Sequence, residues 1–435
     1  MSNYKAIIAK IDRVTPIPNA DRIHLATVLG ESVIVSKEWE VGKVGVLFVA
    51  GTQLSETFTS NNNLFRDSEK NVDKSKKGFF ENSRRVRAQP MLGVKSEAFF
   101  ADLNSLAFAG DVSTLKIGDS FEEFNGVKIC NKFLNEKTLK AIAGATKKAL
   151  KKATTPLFFE HIETCQFKQG IHVIQKGDLI SIQAKVHGTS QRVAKTVVMN
   201  DLPVWKEKLN SLFKSVGLNP LFAESRIDYV VGTRRVVLDG VDKIGFHGSE
   251  QYRYDILEQL KPYLTTGMTL YLEVAGYANG KPIMSTHNTK SLKNKELSKK
   301  YGETITYKYG CKEYENRAHV YRITITQEDG TSIDFTQKQL VEWCTARSIL
   351  PALDVVEPFI FDGDYDALAT KVEALTERPE VLGEDFIDST HLSEGVIIRV
   401  DRGTLTPLFL KSKNFYFKCL EGIAQEVEVD LEDAS

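Results

Sequence analysis

Residues 132–152, KFLNEKTLKAIAGATKKALKK, constrain the fold more than any other stretch, because the pattern of the chain changes there. Ahead of them lie short alternating runs such as YKAIIAKIDRV, IHLATVL, SVIVSK, KVGVLFVA, RRVRAQ and EAFFADL. Pro-Asn-Ala-Asp, Gly42, Gly51 and the run Asn61 to Asn63 punctuate them. Many short strands at near-regular spacing predict a small closed or partly closed β-barrel. The polar stretch from Asn61 to Gly78 reads as a mobile loop.

Within the dividing segment, Phe133, Leu139, Ile142 and Leu150 fall at broadly helical spacing. Lys137, Lys140, Lys147, Lys148, Lys151 and Lys152 cover the rest, and the pattern stops before Pro156. The reading is a basic amphipathic helix or helical linker. Its lysines suit a solvated face or a nucleic-acid contact equally well. Beyond it, strands (DLISIQAKVHG, MTLYLEVAGY, HVYRITITQ, EGVIIRV) mix with helices (WKEKLNSLFKSV, YRYDILEQLKPYL, TQKQLVEWCTARSI, YDALATKVEALTE). Short strands with inserted helices fit an α+β domain better than regular βαβ units. The 435 residues thus divide into a barrel over 1–128, a basic linker over 129–156 and a larger α+β domain over 157–435. The acidic end, EVEVDLEDAS, reads as a fraying segment or a surface cap.

Composition removes several classes. With 42% hydrophobic and 26% charged residues, the chain can bury a core and is not a disordered one. The opening MSNYKAIIAKID lacks the apolar run of a secretory signal, and nothing approaches the roughly 18 apolar residues of a membrane span. Five scattered cysteines, Cys130, Cys165, Cys311, Cys344 and Cys419, never pair as CxxC. They read as buried thiols of a reducing, intracellular compartment, with no disulfide framework or zinc site. Lys plus Arg and Asp plus Glu both number 57, so the formal charge is zero. A zero sum weighs mildly against a nucleic-acid partner, but it is blind to where charges sit. Cations gather at Arg84 to Arg87, Lys137 to Lys152 and Lys290 to Lys300, which is compatible with local capture of phosphates.

The chemistry concentrates around Lys185-Val186-His187-Gly188-Thr189-Ser190. A lysine leaving a strand into a glycine turn can present its amine at a pocket floor, with Gly188 admitting a ligand closely. Such an amine can attack a phosphorus atom of a metal-bound polyphosphate. Glu273 in YLEVAGY and Glu394 in SEGVIIRV supply carboxylates suited to hydrated Mg²⁺. Lys411 and Lys413 in FLKSKNF share one face of a strand and suit a triphosphate. Each alone has a bland account on a solvated surface; the ordered set does not.

The order KVHGTS, YLEVAGY, HVYRI, SEGVIIR, LKSK resembles motifs I, III, IIIa, IV and V of the covalent nucleotidyltransferases, the polynucleotide ligases and mRNA capping enzymes. His187 stands where DNA ligases and capping enzymes carry aspartate, which is similar to a subset of RNA ligases. With EVAGYANGKPIMSTHNTKSL, YKYGC and a leading barrel, the chain resembles the ATP-dependent RNA ligases with an N-terminal OB domain, the fifth RNA ligase family. That resemblance covers roughly residues 1 to 420. It implies an OB-type barrel followed by a nucleotidyltransferase domain, ATP-grasp-like or DNA-ligase-type, built of antiparallel sheets with flanking helices.

The same resemblance implies roles. Lys185 attacks the ATP α-phosphate and becomes lysyl-AMP; AMP passes to an RNA or DNA 5′-phosphate, and a 3′-OH displaces it. His187, Gly188, Arg192, Glu273, Tyr321, Glu394, Lys411 and Lys413 contact nucleotide, with Tyr321 stacking on adenine. Glu273 and Glu394 serve the metal, Mg²⁺ with Mn²⁺ as substitute, and carry more of that task because an imidazole at His187 orders metal-bound water poorly. Arg234 or Arg235 binds the phosphate of the nucleic-acid end. Arg84, Arg85 and Arg87, with Phe79 and Phe80 before them, are candidate nucleic-acid contacts of the OB-type unit. A second basic stretch, Lys290, Lys293, Lys295, Lys299 and Lys300, either borders the duplex or the ATP mouth or forms a mobile surface loop. The implied substrate is RNA or an RNA-containing duplex with 5′-phosphate and 3′-OH ends, sealed at nicks by a monomer away from membranes. Two rivals remain: a GTP-using capping-type transferase and a catalytically silent RNA-binding protein.

Overall fold

The computed structural model describes residues 4–134, 154–238, 244–245, 248–403 and 406–427. The lysines of the dividing segment, Lys137 to Lys152, and the acidic end at 428–435 lie outside the described residues.

The leading unit is built on a seven-stranded sheet. Its order is Ser120–Phe121, Ala6–Lys10, Val44–Val49, Ala98–Asp102, Glu31–Ser36, Ile23–Val28 and Arg13–Pro16. Neighbours are antiparallel except Glu31–Ser36 beside Ala98–Asp102, which meet in parallel at Val33 and Ala98. The period of two sends alternate residues to opposite faces. Ile8, Val46 and Phe48 enter one apolar cluster, while Ala9, Leu47 and Val49 enter another. Among the described residues the hydrogen-bonded path stays open, so the expected closed barrel is not seen. Its two edges are blunted by a two-residue strand and by a strand ending in Pro16.

The segment expected as a mobile loop is pinned. Asn71, 3% exposed, accepts from Phe65 N at 3.0 Å and donates to Phe65 O at 3.0 Å and Lys76 O at 2.8 Å. This buried carboxamide satisfies three backbone groups and adds to the burial of Phe65 and the packing of Leu64.

The second unit holds two sheets. One runs Cys165–Gln166, Leu408–Lys413, Gly395–Asp401, Leu179–Ala184 and Phe359–Ile360. The other runs Ser225–Gly232, Thr189–Met199, Met268–Ala278, Asn316–Thr326 and Ser332–Asp334. Most pairings are antiparallel, as expected for the α+β class. The helices Gln251–Leu260 and Gln337–Thr345 bury Ile256, Leu257 and Leu340 against the second sheet, and Tyr365–Glu377 buries Leu368 and Val372 against the first. Lys295–Tyr301, within the second basic stretch, is a helix capped by Asn294 and anchored by buried Leu297 and Tyr301. No helix of the described residues is long and apolar enough to cross a membrane.

Candidate functional site

Lys185 is the first residue beyond the strand Leu179–Ala184, and its N–H donates to Gly395 O at 3.0 Å. The strand pairs with Gly395–Asp401, so the chain entering that strand runs beside the lysine and brings Glu394 to it. Lys185 Nζ lies 2.8 Å from Glu394 Oε1. Lys413 Nζ reaches the same oxygen at 3.1 Å, because Lys413 pairs with Gly395 across the next strand. Glu394 is 1% exposed. Burial alone would raise its pKa; Lys185, then Lys413 and His187, hold it well below the usual carboxylate range.

Gly188 makes the turn after the lysine possible. A Cβ there would sit 2.5 Å from Val274 O and 3.1 Å from Glu273 Cγ, so a larger residue would push the two strands apart. His187 donates its backbone N–H to the buried Tyr309 hydroxyl at 2.6 Å. Its ring packs on Tyr307 and Phe417, with Nδ1 3.5 Å from Glu394 Oε2. Thr189 and Ser190 are held by Arg253, which donates to Thr189 Oγ1 and Ser190 O at 2.9 Å each.

A cavity of about 140 Å³ opens between the two sheets. Lys185, Lys411, Lys413, Glu273, Tyr321 and Arg234 all line it, so most of the sequence-derived set meets at one place. Glu273 is carried by the central strand Met268–Ala278, between Ser190 on one neighbour and His319 on the other. Burial, then the Glu273 charge, pushes the Tyr321 phenol up, so it stays protonated. His161 lies edge-on to Tyr321 at 5.0 Å and Phe409 at 5.2 Å. Burial, then the charges of Arg322, Arg234 and Arg399, keeps its imidazole neutral. The cavity therefore joins aromatic and uncharged ring surfaces to a row of lysines. That arrangement suits a flat base bearing phosphates.

Three arginines sit elsewhere than expected. Arg192, 1% exposed, donates to Thr233 O at 2.7 Å and to Phe158 O and Phe159 O at 3.2 and 2.8 Å. It stays outside the cavity lining and holds the backbone next to Arg234. Arg85, 8% exposed, donates to Gly422 O at 3.0 Å and covers Phe133. Arg84 turns inward to Leu54 O and Asn82 O at 3.1 and 2.9 Å. Backbone carbonyls near (Asn82) and far (Leu54, Gly422) in sequence engage the Arg84 and Arg85 guanidiniums, which were expected at a nucleic-acid surface. Arg87 is half-buried and Arg235 is exposed.

Sequence reasoning missed His161, Arg253, Tyr309 and Glu421. Glu421 Oε1 and Oε2 accept from Lys413 Nζ at 2.8 and 3.0 Å. The apolar run FYFKCLEGI after Asn414 carries a helix signal, and the structure has a helix Phe415–Val427 there. Nothing in the sequence aligns Glu421 with Lys413.

Among the described residues no cluster of three or more His, Cys, Asp or Glu could cage a metal. Mg²⁺ commonly needs only one or two carboxylates plus substrate phosphates. Glu273, on the cavity wall, fits that demand; Glu394 is already held by two ammonium groups.

The chain shares its fold with solved RNA ligase structures. Structures of the Naegleria gruberi RNA ligase align along both chains. Its complex with pyrophosphate is 14% identical, covering 95% of this chain and 97% of that one, at a TM-score of 0.57. A variant of it with ATP and manganese is 14% identical over 95% and 98%, at 0.58. No family description matches the sequence, and no curated protein matches it.

Proposed function

We propose that this chain is an ATP-dependent RNA ligase that works through a lysyl-AMP on Lys185. The observation that carries the reading is the Lys185, Glu394 and Lys413 cluster at the mouth of a cavity also lined by Lys411, Glu273 and Tyr321.

Lys185 Nζ attacks the α-phosphorus of ATP; a P–N bond forms as the bond to pyrophosphate breaks. The amine must first lose its proton to water; Glu394 Oε1 at 2.8 Å, too weak a base to keep it, holds the nitrogen in place. Lys411 and Lys413 offset charge on the leaving pyrophosphate. Adenine enters the cavity against Tyr321. A divalent ion, Mg²⁺ or Mn²⁺, would be held by Glu273 and phosphate oxygens and would neutralise charge at the reacting phosphorus. In the later steps AMP moves to a 5′-phosphate, and a 3′-OH attacks that activated end with release of AMP. Arg234 at the cavity and exposed Arg235 beside it are the candidates for the 5′-phosphate, and Arg87 for the strand beyond. Alignment with an RNA ligase along 95% of this chain supports RNA ends as the substrate class, and a nicked duplex is the form of substrate proposed here.

Incubation with α-labelled ATP and Mg²⁺ should give a covalently labelled protein, stable to alkali and lost in hot acid as a P–N bond requires, that Lys185→Ala abolishes. Labelling with GTP but not ATP, or label that persists in Lys185→Ala, would overturn the reading. Nicked duplexes differing only in sugar type at each side of the nick would then define the preferred ends.

A further inference from the structure

We propose that the outward face of the helix Val204–Ser215 is where a second copy of this chain docks, antiparallel, across a two-fold axis. Such a dimer is independent of the ligase chemistry and replaces the monomer that the resemblance implies.

Trp205, Leu209, Leu212 and Val216 recur at i, i+4, i+7 and i+11, which gathers them into one stripe along the helix. Trp205, Leu212 and Val216 are 56%, 59% and 66% exposed, so the stripe faces away from the core. The loop that follows adds exposed Leu218 and Leu221. Seven of the 24 large apolar side chains exposed among the described residues fall between 204 and 227, which makes a patch and not a scatter. The helix cannot turn this stripe inward. Its other flank is fixed by Asn210, 1% exposed, which donates to Phe222 O at 2.8 Å and accepts from Phe222 N–H at 2.9 Å. Lys214 also pairs with Glu224 at 2.7 Å, which ties the last turn to the start of the strand Ser225–Gly232.

Charge and spacing together select the occupant. Residues 201–228 hold four Lys or Arg and four Asp or Glu, a net charge of zero. An anionic membrane or a polyanion calls for an excess of cations, whereas a neutral surface meets its own copy without repulsion. The stripe's spacing of four, three and four residues reads the same from either end. An antiparallel copy therefore sets Leu209 against Leu212 and Trp205 against Val216, a two-fold arrangement in which each contact occurs twice. A parallel copy would instead bring two N-termini together. Pro203 offers no capping side chain there, and Lys206 and Lys208 already stand near the positive end of the helix. Antiparallel docking puts Lys208 beside the carbonyl end of the other helix, which favours a cation. Trp205, held edge-on to Phe222 at 5.5 Å, is a fixed aromatic anchor of the kind that dominates binding energy at interfaces.

Sedimentation velocity of the full chain at about 1 to 100 μM tests the proposal, since that range spans micromolar dissociation constants. The sedimentation coefficient should rise from the monomer value towards the dimer value as concentration increases. Trp205→Ala should weaken association by about 30-fold or more, and Leu212→Lys should hold the chain monomeric throughout. An equimolar mixture of Leu212→Lys and Leu209→Glu chains should associate again, because the antiparallel register sets the two opposite charges face to face. Circular dichroism and the thermal midpoint of each variant report that it is folded. A chain monomeric at every concentration, a dimer indifferent to Leu212→Lys, or a mixture no better than its components would overturn the proposal. So would a monomer that cosediments with anionic phospholipid vesicles in place of its own copy. Labelling with ATP is read separately: its absence would sink the ligase reading and leave the dimer standing.

Discussion

Lys413 divides its ammonium group between two carboxylates, Glu394 at 3.1 Å and Glu421 at 2.8 and 3.0 Å. Glu421 thereby sets where that charge stands relative to Lys185. Hydrogen bonds to charged groups contribute about 1.5–3 kcal/mol each. Glu421→Gln should therefore slow lysyl-AMP formation by about ten-fold or more, with a smaller change in the KM for ATP; stopped-time labelling at varied ATP checks it. Tyr309 positions the same motif from the other side through its bond to His187 N–H. Tyr309→Phe keeps the ring but leaves a buried donor unpaired, at a cost of about 1–3 kcal/mol, which a lowered unfolding midpoint would reveal. Lys185, Glu273, Tyr321, Lys411 and Lys413 were legible in the sequence because each lies on, or just beyond, a strand, where alternation fixes the face. Arg192 and Arg85 were not, because a long side chain's destination depends on which distant carbonyl needs a donor.

The turn 385–391, between the helix Tyr365–Glu377 and the strand Gly395–Asp401, shows the same logic at the level of an element. Asp385 is buried; one oxygen accepts from Ile387 N at 2.8 Å, while the other has no hydrogen-bond partner among the described residues. Burial pushes its pKa up to about 7. An acid whose folded pKa lies above its ordinary value of 3.8 favours the proton-bound native state, so stability falls as pH rises from about 4 through 7. His391 and His287 act in the opposite sense. Burial lowers them to about 4 and about 3, so their contribution is present above their ordinary 6.5 and is lost as pH falls. Urea unfolding across pH 4 to 8 should therefore show a declining limb near neutrality that Asp385→Asn removes. A neutral-to-alkaline limb that survives the substitution would place the titration elsewhere. No sequence pattern announces such a group, because burial of an aspartate in a turn is a property of the packed neighbours.

At the scale of the whole molecule, the zero sum of 57 cations and 57 anions concealed an internal arrangement. Glu97, on the leading unit and 6% exposed, accepts from Lys168 at 3.0 Å and from Lys418, both on the second unit. Glu31 stands 3.5 Å from Lys168, and Lys95 meets Glu377 at 2.5 Å across the same junction. Arg85 adds its bond to Gly422 O, one residue from Glu421. Arg85, read from the sequence as a nucleic-acid contact, therefore helps to hold the two units together, and the partners at this junction lie 71 to 337 residues apart. Burial alone would raise Glu97, but Lys418 and Lys168 win and hold it well below the carboxylate range. Such a lowered acid stabilises the fold above its ordinary pKa and loses that contribution as pH falls through acid. Glu97→Ala would leave Lys418 without its carboxylate and Lys168 with Glu31 alone, and breaking a buried pair on one side costs about 3–5 kcal/mol. Calorimetry should then show a lower, broadened or split transition as the two units unfold apart. Replacing Glu97, Lys168 and Lys418 together by methionine removes the charges and leaves apolar volume, and should recover most of that loss. A triple variant as unstable as Glu97→Ala would mean that the junction depends on the geometry of these charges and not merely on their mutual neutralisation.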